Sequence, residues 1–194
     1  MASAEKIKEK AAKEKKDLPD KGIETMFRVS SSNHQRLSDM ADNKANIMIT
    51  VNSIILSAIL SLLLRRLEDQ PYLTLPTFML ITVSLVTMVL SILSTRPKLP
   101  PGTFSQTDVD NQKVNLLFFG NFYNMPLTDY KEAMLKTMQD RDMLYGNLIM
   151  DGYAQGVVLG RKYRLLRLAY NIFMFGLVAS VIAFFVASML NIKH

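Results

Sequence analysis

Residues 46–64 read NIMITVNSIILSAILSLLL, and this stretch carries no charged side chain. Two further uncharged stretches follow at residues 75–93 (LPTFMLITVSLVTMVLSIL) and 169–190 (AYNIFMFGLVASVIAFFVASML). At about 1.5 Å per residue, helices of these lengths reach roughly 28–33 Å, which matches a hydrocarbon core of about 30 Å. The sequence therefore predicts an all-α membrane protein with three transmembrane helices at these positions.

The composition narrows the classes of function. The chain has 194 residues, 49% of them hydrophobic, no Cys, and two His at His34 and His194. Disulfides, thiolate catalysis and Cys-based zinc sites are excluded, and metal-dependent hydrolysis has few ligands to draw on. The dipeptide His34-Gln35 is not the His-Asp pair of metal-dependent phosphohydrolases. We expect no enzyme, no catalytic residue, no metal site and no cofactor.

The distribution of Lys and Arg predicts the orientation. Residues 1–44 hold 10 of them and residues 94–168 hold another 10, out of 23 in the chain. Because cytoplasmic flanks carry an excess of Lys and Arg, the N-terminus and residues 94–168 are expected in the cytoplasm, with the C-terminus outside. Arg65 and Arg66 in the short outer loop depart from this rule, but at a helix end they can snorkel to the headgroups.

The segment before the first span divides into a Lys-rich tail at residues 1–25 and a helical part. Between residues 26 and 44, one helix face is predicted from steps of three and four, at Met26, Val29, Asn33, Leu37, Met40 and Lys44. No Pro or Gly separates this face from the first span, so one long helix is expected to run from the cytoplasm through the membrane. The polar Asn33 and Lys44 on this stripe either set register or contact something polar.

A second long cytoplasmic helix is expected to run into the third span. Pro126 and Thr128 indicate its start, with Thr128 as a reasonable N-cap. Gly152, Gly156 and Gly160 recur every four residues on it and form the small-xxx-small pattern of membrane helices. We expect close packing at this glycine strip, against the first long helix or a neighbouring subunit, rather than a hinge.

Residues 115–124 (NLLFFGNFYN) place four aromatic residues within six positions of a cytoplasmic loop. Packing against the two long helices is the first interpretation. Insertion into the membrane interface and stacking on a flat ligand such as a nucleobase remain open. Stacking by Phe118, Phe119 or Tyr123 is compatible with packing by the others.

Polar groups on the helices beside the spans suggest a site for a small anionic ligand. An Arg can give a phosphate a bidentate contact, and an aromatic ring can stack on a base. Arg164 and Arg167 are sufficiently explained as a positive cytoplasmic flank. The candidate ligand contacts are therefore Asn33, Arg36, Lys44, Phe118, Phe119, Tyr123, Arg161 and Lys162.

Four separated segments, in order, resemble one known family. They are residues 33–57 (NHQRLSDMADNKANIMITVNSIILS), 115–122 (NLLFFGNF), 129–134 (DYKEAM) and 159–170 (LGRKYRLLRLAY). They are similar to PycTM, the transmembrane effectors of Pycsar anti-phage defence, and the similarity extends from about residue 29 to about residue 190. We expect a Pycsar-effector-like domain at residues 26–194.

The resemblance implies a function that composition and spacing do not show. Such effectors sense cyclic CMP or cyclic UMP and then damage the bacterial inner membrane or stop growth before the phage matures. The expectation is a homo-oligomer whose partners are this nucleotide and the lipid bilayer, and not nucleic acid. Two alternatives remain: a non-catalytic membrane scaffold or adaptor, and a constitutive channel.

Overall fold

The computed structural model describes residues 20–63, 67 and 69–192. This part of the chain contains helices and no strand. Three helices are long and apolar enough to cross a membrane, within Lys21–Ser61, Pro71–Thr95 and Arg141–Asn191. The predicted all-α membrane fold is confirmed. The tail up to residue 19, the Arg65–Arg66 pair and the terminal residues 193–194 lie outside the described residues.

Five α-helices and three short helical turns make up the described chain. The α-helices are α1 (Asp20–Ala58), α2 (Thr74–Thr95), α3 (Gln106–Asp110), α4 (Leu127–Gln139) and α5 (Arg141–Ile192). A π-helical turn, Ile59–Leu63, continues α1, and 3-10 turns lie at Pro71–Leu73 and Phe119–Asn121. The predicted long first helix is confirmed, because α1 runs without interruption from residue 20 into the first span.

The chain divides into two compact units. Among the described residues, the loop unit comprises residues 20–35 and 102–155, and the span unit comprises the described part of residues 36–101 together with residues 156–192. The loop unit has its own apolar core of Val109, Leu116, Ala133 and Met143. The span unit contains the three membrane helices.

Helix α2 of the span unit buries small polar side chains and exposes large apolar ones. On α2 the fully buried side chains include Thr77, Ser84, Thr87 and Ser91, spaced along one helix face. Large apolar residues of the same helix, such as Phe78, are exposed. This inverted pattern suits lipid, which is as apolar as Leu, so that small residues and not large ones favour helix association.

One glycine in the third span marks a close helix contact. A Cβ built at Gly176 would lie 2.5 Å from Cγ2 of Val83 on α2. Only a residue without a side chain allows this approach. By contrast, Gly152, Gly156 and Gly160 have no described atom within 4 Å of a built Cβ. The glycine strip therefore does not make the predicted tight contact with the first long helix within the described chain. A neighbouring subunit at the strip stays a prediction.

Helix α1 packs on α5 through a face that differs from the stripe of Leu37, Met40 and Lys44. Within the span unit, α1 packs on α5 through Ala41 and Ala45, which contact Leu166. The predicted stripe faces outward instead, with Leu37 and Met40 39% and 42% exposed. Two alanines let the helix backbones approach closely and exclude bulkier side chains from the contact.

The predicted second long helix is interrupted at Asp140. Helix α4 ends at Gln139, and Asp140 has extended dihedral angles. Its Oδ1 accepts hydrogen bonds from the backbone N–H groups of Asp142 (2.9 Å) and Met143 (3.2 Å). Asp140 therefore caps the start of α5 and satisfies donors that a continuous helix would have used internally. The predicted single helix was wrong on this point.

The start of α4 also differs from the prediction. Its N-cap is Pro126, without a side-chain hydrogen bond, and Thr128 lies inside the helix. The hydroxyl of Thr128 lies 3.0 Å from the carboxylate of Asp129 and does not cap the backbone. Pro126 supplies a fixed φ at this boundary, and its carbonyl oxygen accepts a hydrogen bond from the backbone N–H of Tyr130 at 3.2 Å.

Candidate functional site

A basic cavity of about 640 Å³ lies in the span unit between α1 and α5. Its lining contains three cationic side chains, two tyrosines, one buried leucine and one glycine. These residues are Lys44, Gly160, Tyr163, Arg164, Leu166, Arg167 and Tyr170. No carboxylate belongs to this lining, so the cavity presents a concentrated positive charge and favours an anionic ligand.

The two tyrosines of the basic cavity are tied to the backbone of α1. The hydroxyl of Tyr163 donates to the carbonyl oxygen of Leu37 at 3.2 Å, and that of Tyr170 donates to the carbonyl oxygen of Lys44 at 3.5 Å. These bonds orient the rings and link α5 to α1 at both ends of the cavity. Leu166 closes the floor of the cavity with only 3% of its surface exposed.

The neighbouring acid does not cancel the charge of the cavity. Asp42 accepts two hydrogen bonds from the ammonium group of Lys162, at 2.8 and 2.7 Å. The same ammonium donates to Ser38 Oγ at 2.9 Å. Because Lys162 already compensates Asp42, the charges of Lys44, Arg164 and Arg167 remain available to an anion.

Of the eight predicted ligand contacts, Lys44 lines the basic cavity. Arg36, Arg161 and Lys162 belong to the same unit but not to the lining; Arg36 and Arg161 are exposed, and Lys162 is paired with Asp42. The other four predicted contacts, Asn33, Phe118, Phe119 and Tyr123, belong to the loop unit.

The aromatic segment of the loop unit is held by amide side chains. Asn115 Nδ2 donates to Asp151 Oδ1 at 3.0 Å, and Asn147 Oδ1 accepts from the backbone N–H of Leu116 at 2.9 Å. These bonds bury Leu116 in the core of the unit. Tyr123 remains half exposed and its ring covers Gly102, which has φ +81° and no room for a Cβ. Leu116 of this segment thus packs in the core of the loop unit, whereas Phe119 and Tyr123 stay 55% and 50% exposed, and a stacking role for them stays a prediction.

A second cavity, of about 260 Å³, lies within the loop unit. Its lining includes Arg28 but also the carboxylates of Glu24 and Asp151. Two acids against one base make this cavity a poorer receptor for an anion than the basic cavity. Among the described residues no group of three or more His, Cys, Asp or Glu could hold a metal ion.

Sequence reasoning missed four residues of the basic cavity. Tyr163, Arg167 and Tyr170 follow one another at steps of four and three, so a single helix face presents them together. Arg164 was assigned, with Arg167, to the positive cytoplasmic flank. The available signal was this periodicity within the segment LGRKYRLLRLAY, combined with the Lys44 side chain just before the first span.

A family model for the Pycsar effector protein domain, PycTM, matches residues 25–188. The chain belongs to this family. It is a Pycsar effector of anti-phage defence and a membrane protein, as the resemblance implied. PycTM is a membrane effector domain and not a known enzyme family. Comparisons with curated proteins and with solved structures gave no match.

Proposed function

We propose that this PycTM protein senses a cyclic pyrimidine mononucleotide, cyclic CMP or cyclic UMP, in the basic cavity and then disrupts the bacterial inner membrane. Growth arrest or abortive infection follows from the loss of the membrane barrier. The observation that carries this proposal is the cavity itself, which has three cations and no acid on two helices that continue into the membrane.

The chemistry of the cavity suits a nucleotide of this kind. A cyclic mononucleotide carries one negative phosphate, and an Arg side chain can bind it with two parallel hydrogen bonds. The ring of Tyr163 or Tyr170 offers a flat face for a pyrimidine base. The cavity volume lies within the range of about 300–1,000 Å³ that is usual for small-ligand sites.

The position of the cavity explains how binding reaches the bilayer. Lys44 precedes the first uncharged stretch by two residues, and Tyr170 lies at the start of the third. A ligand that binds one arrangement of α1 and α5 more tightly shifts the population toward it. Because both helices continue without a break, a change in their packing at the cavity moves the spans directly.

In the proposed orientation the N-terminus and residues 94–168 face the cytoplasm, where a cyclase would release its product. The excess of Lys and Arg in these segments supports this orientation. The protein acts in this proposal as a homo-oligomer, because the spans of one chain carry no charged side chain and only scattered polar ones, so a membrane-disrupting pathway forms more readily between subunits.

Dye release from liposomes tests the proposal. The purified full chain is reconstituted and mixed with cyclic CMP, cyclic UMP, cyclic AMP or no nucleotide, with protein-free liposomes as a control. We expect dye release only from the protein-containing liposomes that receive cyclic CMP or cyclic UMP. Release in every protein lane would instead indicate a constitutive channel, and release in none would favour the scaffold alternative.

A further inference from the structure

Helix α1 carries a second face that the described chain leaves uncovered. Residues on this face alternate at steps of three and four, which is the heptad spacing of a coiled-coil seam. They form the exposed seam, namely Leu37, Met40, Lys44, Ile47, Val51 and Ile54. The buried face of α1, at Ala41, Ala45 and Met48, points in another direction and is already occupied by the same chain.

Lipid alone does not account for the seam. Ile47, Val51 and Ile54 lie in the first span, where an exposed apolar side chain is normal. Leu37 and Met40 precede the uncharged stretch and are nevertheless 39% and 42% exposed. The exposed row therefore continues from the first span into the part of α1 that precedes it, where lipid contact does not explain it. An exposed apolar row outside the membrane marks a surface for another protein.

The membrane selects a second copy of this chain as the occupant. Because α1 continues into the first span, every copy inserts with the same direction and at the same depth. Copies related by an axis along the membrane normal therefore bring their α1 helices together parallel and in register. In a parallel coiled coil in register, each seam residue faces its equivalent in the other copy. An unrelated partner would need a matching heptad at the same height.

The charge of Lys44 opposes association of two copies at this interface. It occupies a core position of the seam, where in-register helices would bring the ammonium groups of two copies against each other. A Lys at such a position specifies the register at a cost in stability. Lys44 also lines the basic cavity, together with Arg164 and Arg167. An anion bound there would lie beside the charge that opposes association.

We propose that a second copy of the chain docks in parallel on the exposed seam, and that an anionic phosphate in the basic cavity favours docking by offsetting the charge of Lys44. The cyclic nucleotide is that anion if the proposed function holds, and this identification rests on it. Ligand binding and assembly are then one event, because the same side chain belongs to the cavity and to the interface.

Site-specific disulfide formation tests the docking. The chain has no Cys, so each variant carries a single thiol. Met40→Cys places it on the seam, and Asp39→Cys, one residue away on an exposed different face, is the matched control. Both full-length variants are reconstituted in phosphatidylcholine vesicles and oxidised with and without cyclic CMP or cyclic UMP. For Met40→Cys we expect at least about fivefold more cross-linked dimer with nucleotide, and no such rise for Asp39→Cys.

A charge variant separates the seam from the nucleotide. Met40→Cys combined with Lys44→Met is expected to cross-link without any nucleotide, to about the level that the ligand produces otherwise. If this double variant cross-links no better than the Asp39→Cys control, the seam is not the interface. The proposed charge control is wrong if two results hold together. Met40→Cys would have to cross-link equally with and without an anion, and adding Lys44→Met would have to leave that level unchanged.

Two further samples distinguish a cyclic nucleotide from a lipid headgroup or free phosphate as the anion in the basic cavity. Vesicles containing phosphatidylglycerol and vesicles supplied with inorganic phosphate repeat the Met40→Cys measurement without nucleotide. Cross-linking that rises in either arm, but not with cyclic CMP or cyclic UMP, would support the seam and its charge control while contradicting the proposed nucleotide function. If cyclic CMP or cyclic UMP raises cross-linking at a far lower concentration than inorganic phosphate does, the result supports both the docking on the seam and the proposed nucleotide function.

Discussion

The ammonium group of Lys162 lies 2.7 Å from one carboxylate oxygen of Asp42 and 2.8 Å from the other. This pair joins α5 to α1 beside the basic cavity, and the Lys162 side chain is only 16% exposed. It has two consequences. The pair links the two helices, and it compensates the carboxylate of Asp42, which would otherwise weaken the attraction of the cavity for an anion.

We predict that Lys162→Met lowers the free energy of unfolding by about 1–2 kcal/mol, because it leaves Asp42 partly buried without its cation. Thermal unfolding in detergent, followed by circular dichroism, measures the change. The double variant Lys162→Met with Asp42→Asn is expected to recover part of the loss, since no uncompensated charge remains. Equal stability of the single variant and the native chain would contradict the structural role of the pair.

Arg167→Gln is predicted to weaken binding of the cyclic pyrimidine nucleotide by about 10-fold or more, because a hydrogen bond to a charged phosphate is lost. Isothermal titration calorimetry on the reconstituted protein measures the affinity. The matched control is Arg161→Gln, which removes the same charge from an exposed position of α5 outside the cavity. A similar loss in both variants would indicate a general effect of net charge.

Gly176→Ala is predicted to destabilise the span unit by about 1–3 kcal/mol. The new Cβ would meet Val83 at 2.5 Å, and a β-branched side chain has little freedom to move aside. Gly156→Ala is the control, because the space beside it is open among the described residues. There the better helix propensity of Ala should raise stability by up to about 1 kcal/mol. Thermal unfolding in detergent compares the two.

The pKa of Asp108 is held below its ordinary value of 3.8, first because the hydroxyl of Ser105 donates to the carboxylate and then because the backbone N–H of Ser105 does so. A lowered pKa means that this capping box contributes stability above pH 3.8 and loses it as the pH falls through the lowered value. Ser105→Ala should move the pKa back toward 3.8. NMR titration of the Asp108 carboxyl measures it, and an unchanged pKa would contradict the assigned cause.

Much of the fold followed from local patterns in the chain. Three uncharged stretches of sufficient length predicted the spans, and the absence of Pro and Gly between residues 26 and 46 predicted that α1 continues into the first span. The interruption at Asp140 was missed, although Asp is a common N-cap, because the apolar periodicity continues across it. Periodicity reports which residues share a face, but a single capping side chain can end a helix without disturbing that pattern.

The candidate site was only partly predictable. Lys44 was identified from its polar character on an apolar stripe, and Arg164 and Arg167 were set aside because a positive flank explains them equally well. Their assignment to a cavity depends on Tyr163 and Tyr170 bonding to the backbone of α1 across the helix pair. Sequence spacing along one helix carries no information about which residue of another helix lies opposite.

The sequence by itself determined that this chain is a helical membrane protein of the PycTM family, because span length, lack of charge and ordered family motifs are properties of contiguous residues. Tertiary structure alone decided which face of α1 is buried. Ala41 and Ala45 face α5 while Leu37 and Met40 face outward, since close approach of two helix backbones favours small side chains over large apolar ones. That choice placed Lys44 in the basic cavity and left the exposed seam uncovered.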